Sequence, residues 1–161
     1  TMQNNQRKKS RERDEVMFRL WYSYWLERIA AVFNRRLDAI INILILAAGA
    51  FIVAGWHFGW VLGAVVVVLG ACNFICRFGQ RAQAASEHAH RYNELITKSA
   101  LLSTEALLAR LPELEMHDSP VLECMENVAY NKACMSLNIS HRESLSFAEK
   151  MMAAITIGFS R

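Results

Sequence analysis

Residues 39–56 read AIINILILAAGAFIVAGW, residues 57–60 HFGW and residues 61–76 VLGAVVVVLGACNFIC. The whole stretch, Ala39 to Cys76, lacks Asp, Glu, Lys and Arg. About 20 apolar residues are needed to cross a bilayer core roughly 30 Å thick. The run is too long for one crossing and long enough for two. Its only place to turn is Gly55-Trp56-His57-Phe58-Gly59-Trp60. The sequence therefore predicts a helical hairpin, with one span near Ala39–Trp56 and a second near Phe58–Cys76. A buried hairpin of a soluble domain is the competing reading. The absence of charge and the Arg residues at both ends favour the membrane.

The flanks predict an orientation. Arg28, Arg35 and Arg36 precede the first span, Arg77 and Arg81 follow the second, and the turn has no Lys or Arg. Positive charge stays on the cytoplasmic side, which places both termini in the cytoplasm and the turn outside. Trp56 and Trp60 are expected at headgroup depth as interfacial anchors, with Arg35, Arg36, Arg77 and Arg81 anchoring the opposite face.

Composition agrees with one membrane segment inside an otherwise polar chain. Of 161 residues, 53% are hydrophobic and the net charge is +3, but the apolar excess is concentrated in the hairpin. With only two Pro and seven Gly, little breaks helices, so an all-α membrane protein is expected: a two-helix transmembrane hairpin with a cytoplasmic helical bundle. Residues 1–12 read as a basic disordered tail, 13–38 as a cytoplasmic amphipathic helix, 39–77 as the transmembrane hairpin and 78–161 as a cytoplasmic helical region. Arg7-Lys8-Lys9 and Arg11–Arg13 suit anionic headgroups. Nucleic acid is not expected as a partner, since no binding motif follows the tail. No cleavable signal is expected, because a long charged segment precedes the first apolar run. The four Cys (72, 76, 124 and 134) face a reducing compartment on this topology, so disulfides are not predicted.

Phe18, Trp21, Trp25, Ile29 and Val32 recur at helical steps, with Glu27 mostly off that stripe. The cluster Trp21 to Trp25 fits either the interfacial plane or packing on another helix; the narrow stripe favours packing. The second span is expected to continue as one helix toward Arg110, with a stripe of small residues at Ala82, Ala85 and Ala89 leading to Tyr92, Ile96 and Ser103. The Leu face from Leu95 to Leu111 exceeds what one partner helix covers, which calls for additional helices or oligomerisation; together with the small-residue stripe it predicts a homo-oligomer. Pro112 should end this helix near Leu111. Asp118-Ser119-Pro120 predicts a helix start for Pro120–Leu137. Ser140-x-x-Glu143 predicts a capping box for a last helix near His141–Ile157.

No catalytic, metal or cofactor site emerges. His88 and His90 are two apart and diverge on a helix, and no phosphate loop or nucleophile relay is present. Two polar residues remain inside the spans. Asn42 and Asn73 each lie about one turn from the cytoplasmic end, at similar depth. They read either as an interhelical hydrogen bond or as part of a polar ring between hairpins. Gly63 and Gly70 leave a stripe for close packing on the second span, as Ala85 and Ala89 do beyond it.

A calcium-uniporter pore and phage holins share parts of this layout, but the turn lacks the acidic ring of the first and the cytoplasmic helices are too extensive for the second. The chain resembles the SLATT family, two-transmembrane effectors of bacterial conflict and antiphage systems. The resemblance rests on the N-terminal helix ending in Arg35-Arg36, the tight hairpin, and the long helix with Arg81, Ala82, Ala85, Tyr92 and Leu95. It covers roughly Arg13 to Ile157. It implies a pore-forming or membrane-perturbing oligomer of a bacterial inner membrane; as no fused sensor accompanies these residues, the trigger expected is a separate sensor protein, a ligand of the cytoplasmic helices, or none. A non-pore scaffold or prophage exclusion protein is the alternative.

Overall fold

The computed structural model describes residues 2–55 and 57–158, the side chain of Gln3 excepted. Trp56, predicted as an anchor, lies outside the described residues. The chain is helical throughout, with no strand among the described residues. Helix α1, Met2–Val53, spans 52 residues without a break, about 78 Å at 1.5 Å per residue. It is the axis of the fold. Helices α2 (Gly59–Cys76), α3 (Phe78–Lys98), α4 (Thr104–Glu115), α5 (Glu123–Ser136) and α6 (Phe147–Ile157) all pack against it.

The expected disordered tail is corrected: residues 2–12 are helical. Asn, Gln, Arg, Lys and Glu include no helix breaker, and once Val16 and Leu20 fix the helix, extending it costs little. Arg13 ties this end down by donating to the carbonyl oxygens of Ser99 at 2.7 Å and Leu102 at 3.2 Å.

The first half of α1 carries two apolar clusters. Val16 and Leu20 pack with Tyr92, Leu95, Leu107 and Leu111. Ile29, Ala30 and Ala31 pack with Ala85, Met125, Val128, Ala129 and Met152. Ala85 and Ala89 are thus buried inside the chain, against α1. The small-residue stripe needs no second protomer to cover it, which corrects that part of the argument for an oligomer. The Trp21–Trp25 segment packs on a helix: Phe18 meets Tyr130 edge-on at 5.4 Å, and Trp25 Nε1 donates to Ser136 Oγ at 2.9 Å.

In the second half of α1 the partner is α2. On α2 the less exposed positions are Gly59, Leu62, Gly63, Val66, Leu69, Gly70, Asn73 and Cys76; positions 59, 62, 66, 69, 73 and 76 run at alternating steps of three and four, the 3.5-residue pattern of a helix pair. Ile41 and Ala48 are the buried positions of α1 here. The connection turns at Gly55, whose φ of +74° suits a residue without Cβ.

Four expected boundaries move. The helix does not run from the second span to Arg110. Arg77 adopts a left-handed φ of 48° between α2 and α3, and a second break follows α3, where Ser99–Leu101 forms a 3-10 turn and Ser103 caps α4 by accepting from Ala106 N–H at 3.2 Å. Pro112 lies within α4 rather than ending it at Leu111; the helix continues only to Glu115, so one turn follows the missing N–H. Helix α5 begins at Glu123, not Pro120, because Asp118 and Ser119 are engaged elsewhere. The last capping box is Ser146 with Glu149, one of two S-x-x-E matches. At the other, Asn131 holds Glu143 as loop by accepting from its N–H at 2.8 Å and donating to its carbonyl at 2.9 Å.

Candidate functional site

Two polar features are built into the apolar framework, one in each half of α1. In the second half, Asn73 Nδ2 donates to Asn42 Oδ1 at 3.3 Å. The structure brings these two predicted residues together within one chain. They pair because α2 lies back along α1, which sets residues on the two helices at one level. Asn42 is nonetheless exposed. An amide offers two donor hydrogens and an acceptor oxygen, and this single contact leaves most of that capacity unused.

The other predicted positions are arranged around this pair. Gly63 and Gly70 do not make the close helix approach expected of them: a Cβ built on either meets no atom within 4 Å. They are half-exposed beside Leu62, Val66 and Leu69, so the close contact expected of them, within the hairpin or between protomers, is not made within the hairpin. Trp60 is exposed in the first turn of α2. Arg35, Arg36, Arg77 and Arg81 are all exposed. They gather at one end of the apolar pair, since α1 and α3 meet there. A Cβ at Gly79 would stand 3.5 Å from Asp38 Oδ2.

The feature sequence reading missed lies in the first half of α1. Glu27 is buried, and its carboxylate accepts from Ser119 N–H at 2.6 Å and from Ser119 Oγ–H at 2.8 Å. Beside it, Tyr92 O–H donates to Asp118 Oδ1 at 2.7 Å. His88 stacks on His117 with ring centroids 6.2 Å apart, and its Nδ1 is buried without a hydrogen-bond partner. Burial pushes the Glu27 carboxyl up, and the two bonds from Ser119 offset this in part. Burial likewise raises Asp118, with the Tyr92 bond opposing it. Tyr92 is pushed above the ordinary phenol range by burial and by Asp118. A buried carboxyl outside any ion pair is thus held by hydrogen bonds across 92 residues of sequence, fastening the α4–α5 connection to α1.

The signal for this cluster was a polar seam. Val16, Leu20, Ser23, Glu27 and Ala30 follow steps of four and three and are all buried, as are Ile29 and Ala31 beside them. A search for apolar periodicity prefers the bulky line through Phe18, Trp21 and Trp25, which is only half-buried. Chemically the cluster is a latch. Ser119 donates to Glu27 and not to a histidine, so Ser119, His88 and Asp118 do not compose a nucleophile relay. Among the described residues no group of three or more His, Cys, Asp or Glu is placed to hold a metal ion. Comparison with family models, with curated proteins and with solved structures returns no match to this chain.

Proposed function

We propose that the chain is a two-span membrane protein whose termini and polar bundle are cytoplasmic, and that it acts as an oligomeric inner-membrane effector that opens a pore or perturbs the bilayer. One observation carries the membrane part. The most apolar 18-residue windows of the two long helices have mean hydropathies of 2.0 and 2.2, yet only 6% and 0% of their residues are buried. A core helix of a soluble protein would be mostly covered. These side chains face outward, as lipid-facing residues do.

The oligomer is supported by the exposed amide of Asn42 and by the open Gly63 and Gly70. In hydrocarbon an under-used amide favours a second hairpin that can bond to it, and glycines with empty space around them admit a close helix. A lumen lined this way would carry no ionisable group and would close by dewetting. The scaffold reading draws on a different feature: Leu101 in the bundle is 89% exposed, and Met116 and Phe147 are also exposed, which suits a protein partner.

Val67→Arg tests the membrane reading. Val67 is 70% exposed at the centre of α2. In water such a surface change is worth within about 0.5 kcal/mol; at a bilayer centre it costs about 2.5–3.5 kcal/mol or more. Loss of the protein from the membrane fraction is expected, and unchanged partitioning would overturn the reading. For topology, a reporter after Arg161 should read cytoplasmic and His57→Cys should be labelled from outside. Ion flux into liposomes then separates pore from scaffold: an oligomer that never passes ions favours the scaffold.

A further inference from the structure

Between α1 and α3, just below the apolar half, lies a cleft of about 330 Å³, at the small end of the roughly 300–1,000 Å³ typical of ligand sites. Arg28, Arg35, His90, Ser86, Asn93 and Tyr24 line it, and no carboxylate does. Ion pairs among the described residues join Lys9 to Glu105, Arg19 to Glu115, Lys98 to Glu94 and His141 to Glu143. Arg28 and Arg35 belong to none of them. Arg28 is positioned by aromatic groups instead: its Nη1 donates to Tyr24 Oη at 2.8 Å, and its guanidinium lies 5.7 Å from the Trp25 ring centroid. A guanidinium has five N–H donors, and this one uses a single donor within the chain. Neighbouring clefts differ. The one at His117 includes Glu94 and Glu113; the one nearer the apolar half shares Arg35 and Ser86 with this cleft and adds Asp38 and Glu87 on its far side.

We propose that the α1–α3 cleft is a binding site for a phosphate-bearing anion, held by Arg28, Arg35 and His90 with Ser86 and Asn93 as neutral donors. Planar guanidinium forks match phosphate oxygens, and a cleft with cations and no carboxylate favours a charged oxyanion over a neutral ligand. The site stands on this chemistry and does not depend on pore formation. Two sources present the same group. Arg35 lies one turn before Ala39, about 6 Å along the helix, which on the membrane reading is headgroup depth. Arg28 lies about 16 Å along, within reach of a soluble organophosphate.

The test uses the full chain. Inorganic pyrophosphate is titrated by calorimetry into protein in neutral detergent. In a second arm, phosphatidylcholine nanodiscs with and without phosphatidylglycerol are compared by hydrogen exchange over residues 86–93. Arg28→Gln with Arg35→Gln should weaken pyrophosphate binding about ten- to hundredfold, while Arg110→Gln, outside the cleft, should not. Saturable binding that depends on this pair assigns a soluble phosphate. Protection only with phosphatidylglycerol, lost in the pair variant, assigns a lipid headgroup. If the pair variant fails to fold, Ser86→Asp, which puts a carboxylate into the cleft, should abolish binding. Absence of binding in both arms, or binding indifferent to these substitutions, overturns the proposal; indifference would point to the basic segment Arg7–Arg11.

Discussion

Helix α1 is one uninterrupted helix with two opposite surfaces. In its first half Leu20 is fully buried and the exposed positions are almost all charged or polar; in its second half Leu46 is 76% exposed and the chain turns an asparagine pair onto its partner helix. The first half buries a carboxylate only by giving it two hydrogen bonds from Ser119. The second half has no charge to bury and pairs two amides at 3.3 Å. The difference teaches that the fold is specified by a change of surroundings along a single rod. The backbone carries on while the meaning of an outward side chain reverses.

The largest effect expected from breaking this contrast is in the bundle. Leu20→Ala removes a fully enclosed side chain among Tyr92, Leu95, Leu107 and Leu111 and should cost about 2–5 kcal/mol. Leu46→Ala, the same chemical change on the exposed half, should leave the urea midpoint of the bundle within about 0.5 kcal/mol. Equal losses at the two sites would mean that Leu46 is covered by protein, and the contrast would fail.

The asparagine pair sharpens the comparison next. An interhelical hydrogen bond in a membrane is worth about 0.6–2 kcal/mol. Asn42→Leu with Asn73→Leu should therefore keep the protein inserted, since both changes favour lipid, and should lower liposome ion flux. Asn42→Asp should shift any flux toward cations. If the Leu pair alters assembly and leaves flux unchanged, the amides serve packing alone.

The apolar half was legible because it depends on one crude property, the absence of charge over a length that fits a bilayer twice. The bundle was legible only as helix. Its boundaries depend on choices between near-equal local signals. Ser140-x-x-Glu143 and Ser146-x-x-Glu149 have the same pattern, and Asn131, twelve residues from Glu143, decides between them. Asn138 ends α5 in a left-handed conformation, with Ile139 N–H donating to Cys134 O at 2.8 Å and Asn138 N–H to Met135 O at 3.2 Å, a two-bond helix stop. Glu27 was illegible for a different reason. A glutamate on a helix is normally at the surface, and only its partner Ser119, brought in by the tertiary fold, makes burial affordable.

That burial predicts a pH dependence. Glu27 and Asp118 sit above their ordinary values in the folded chain, so the folded state holds their protons more strongly than the unfolded one. Their contribution to stability is fully present below the ordinary carboxylate range and is lost as pH rises through the raised folded values. Glu149, lowered chiefly by its bonds from Ser146, acts in the opposite sense and loses its contribution as pH falls. Urea midpoints measured across this window should show a bundle that gains stability on mild acidification from neutral pH. Glu27→Gln, which keeps a carbonyl to accept from Ser119, should flatten that dependence. An unchanged profile would remove Glu27 from its cause.

The smallest effect is expected at the junction of the two halves on the return strand of the chain. Arg77 separates α2 from α3 with φ 48° and ψ 47°, a conformation that costs an L-residue with a Cβ roughly 1–2 kcal/mol. Its N–H still donates to Asn73 O at 2.9 Å and its carbonyl accepts from Arg81 N–H at 3.0 Å, so the hydrogen-bond ladder holds across the break. Arg77→Gly removes the Cβ and should relieve that strain, but it also frees the unfolded chain, which offsets about 0.5–1 kcal/mol. The net change in the urea midpoint should be slight and toward greater stability. Orientation should be unaffected, because Arg35, Arg36 and Arg81 remain at the same end. The discriminating control is Arg77→Ala, which deletes the charge and keeps the strain. If Gly and Ala both lower stability alike, the Arg77 side chain holds the junction through its charge. If Gly stabilises where Ala does not, backbone geometry sets the junction, and the two halves of the molecule meet at a strained residue whose charge is dispensable.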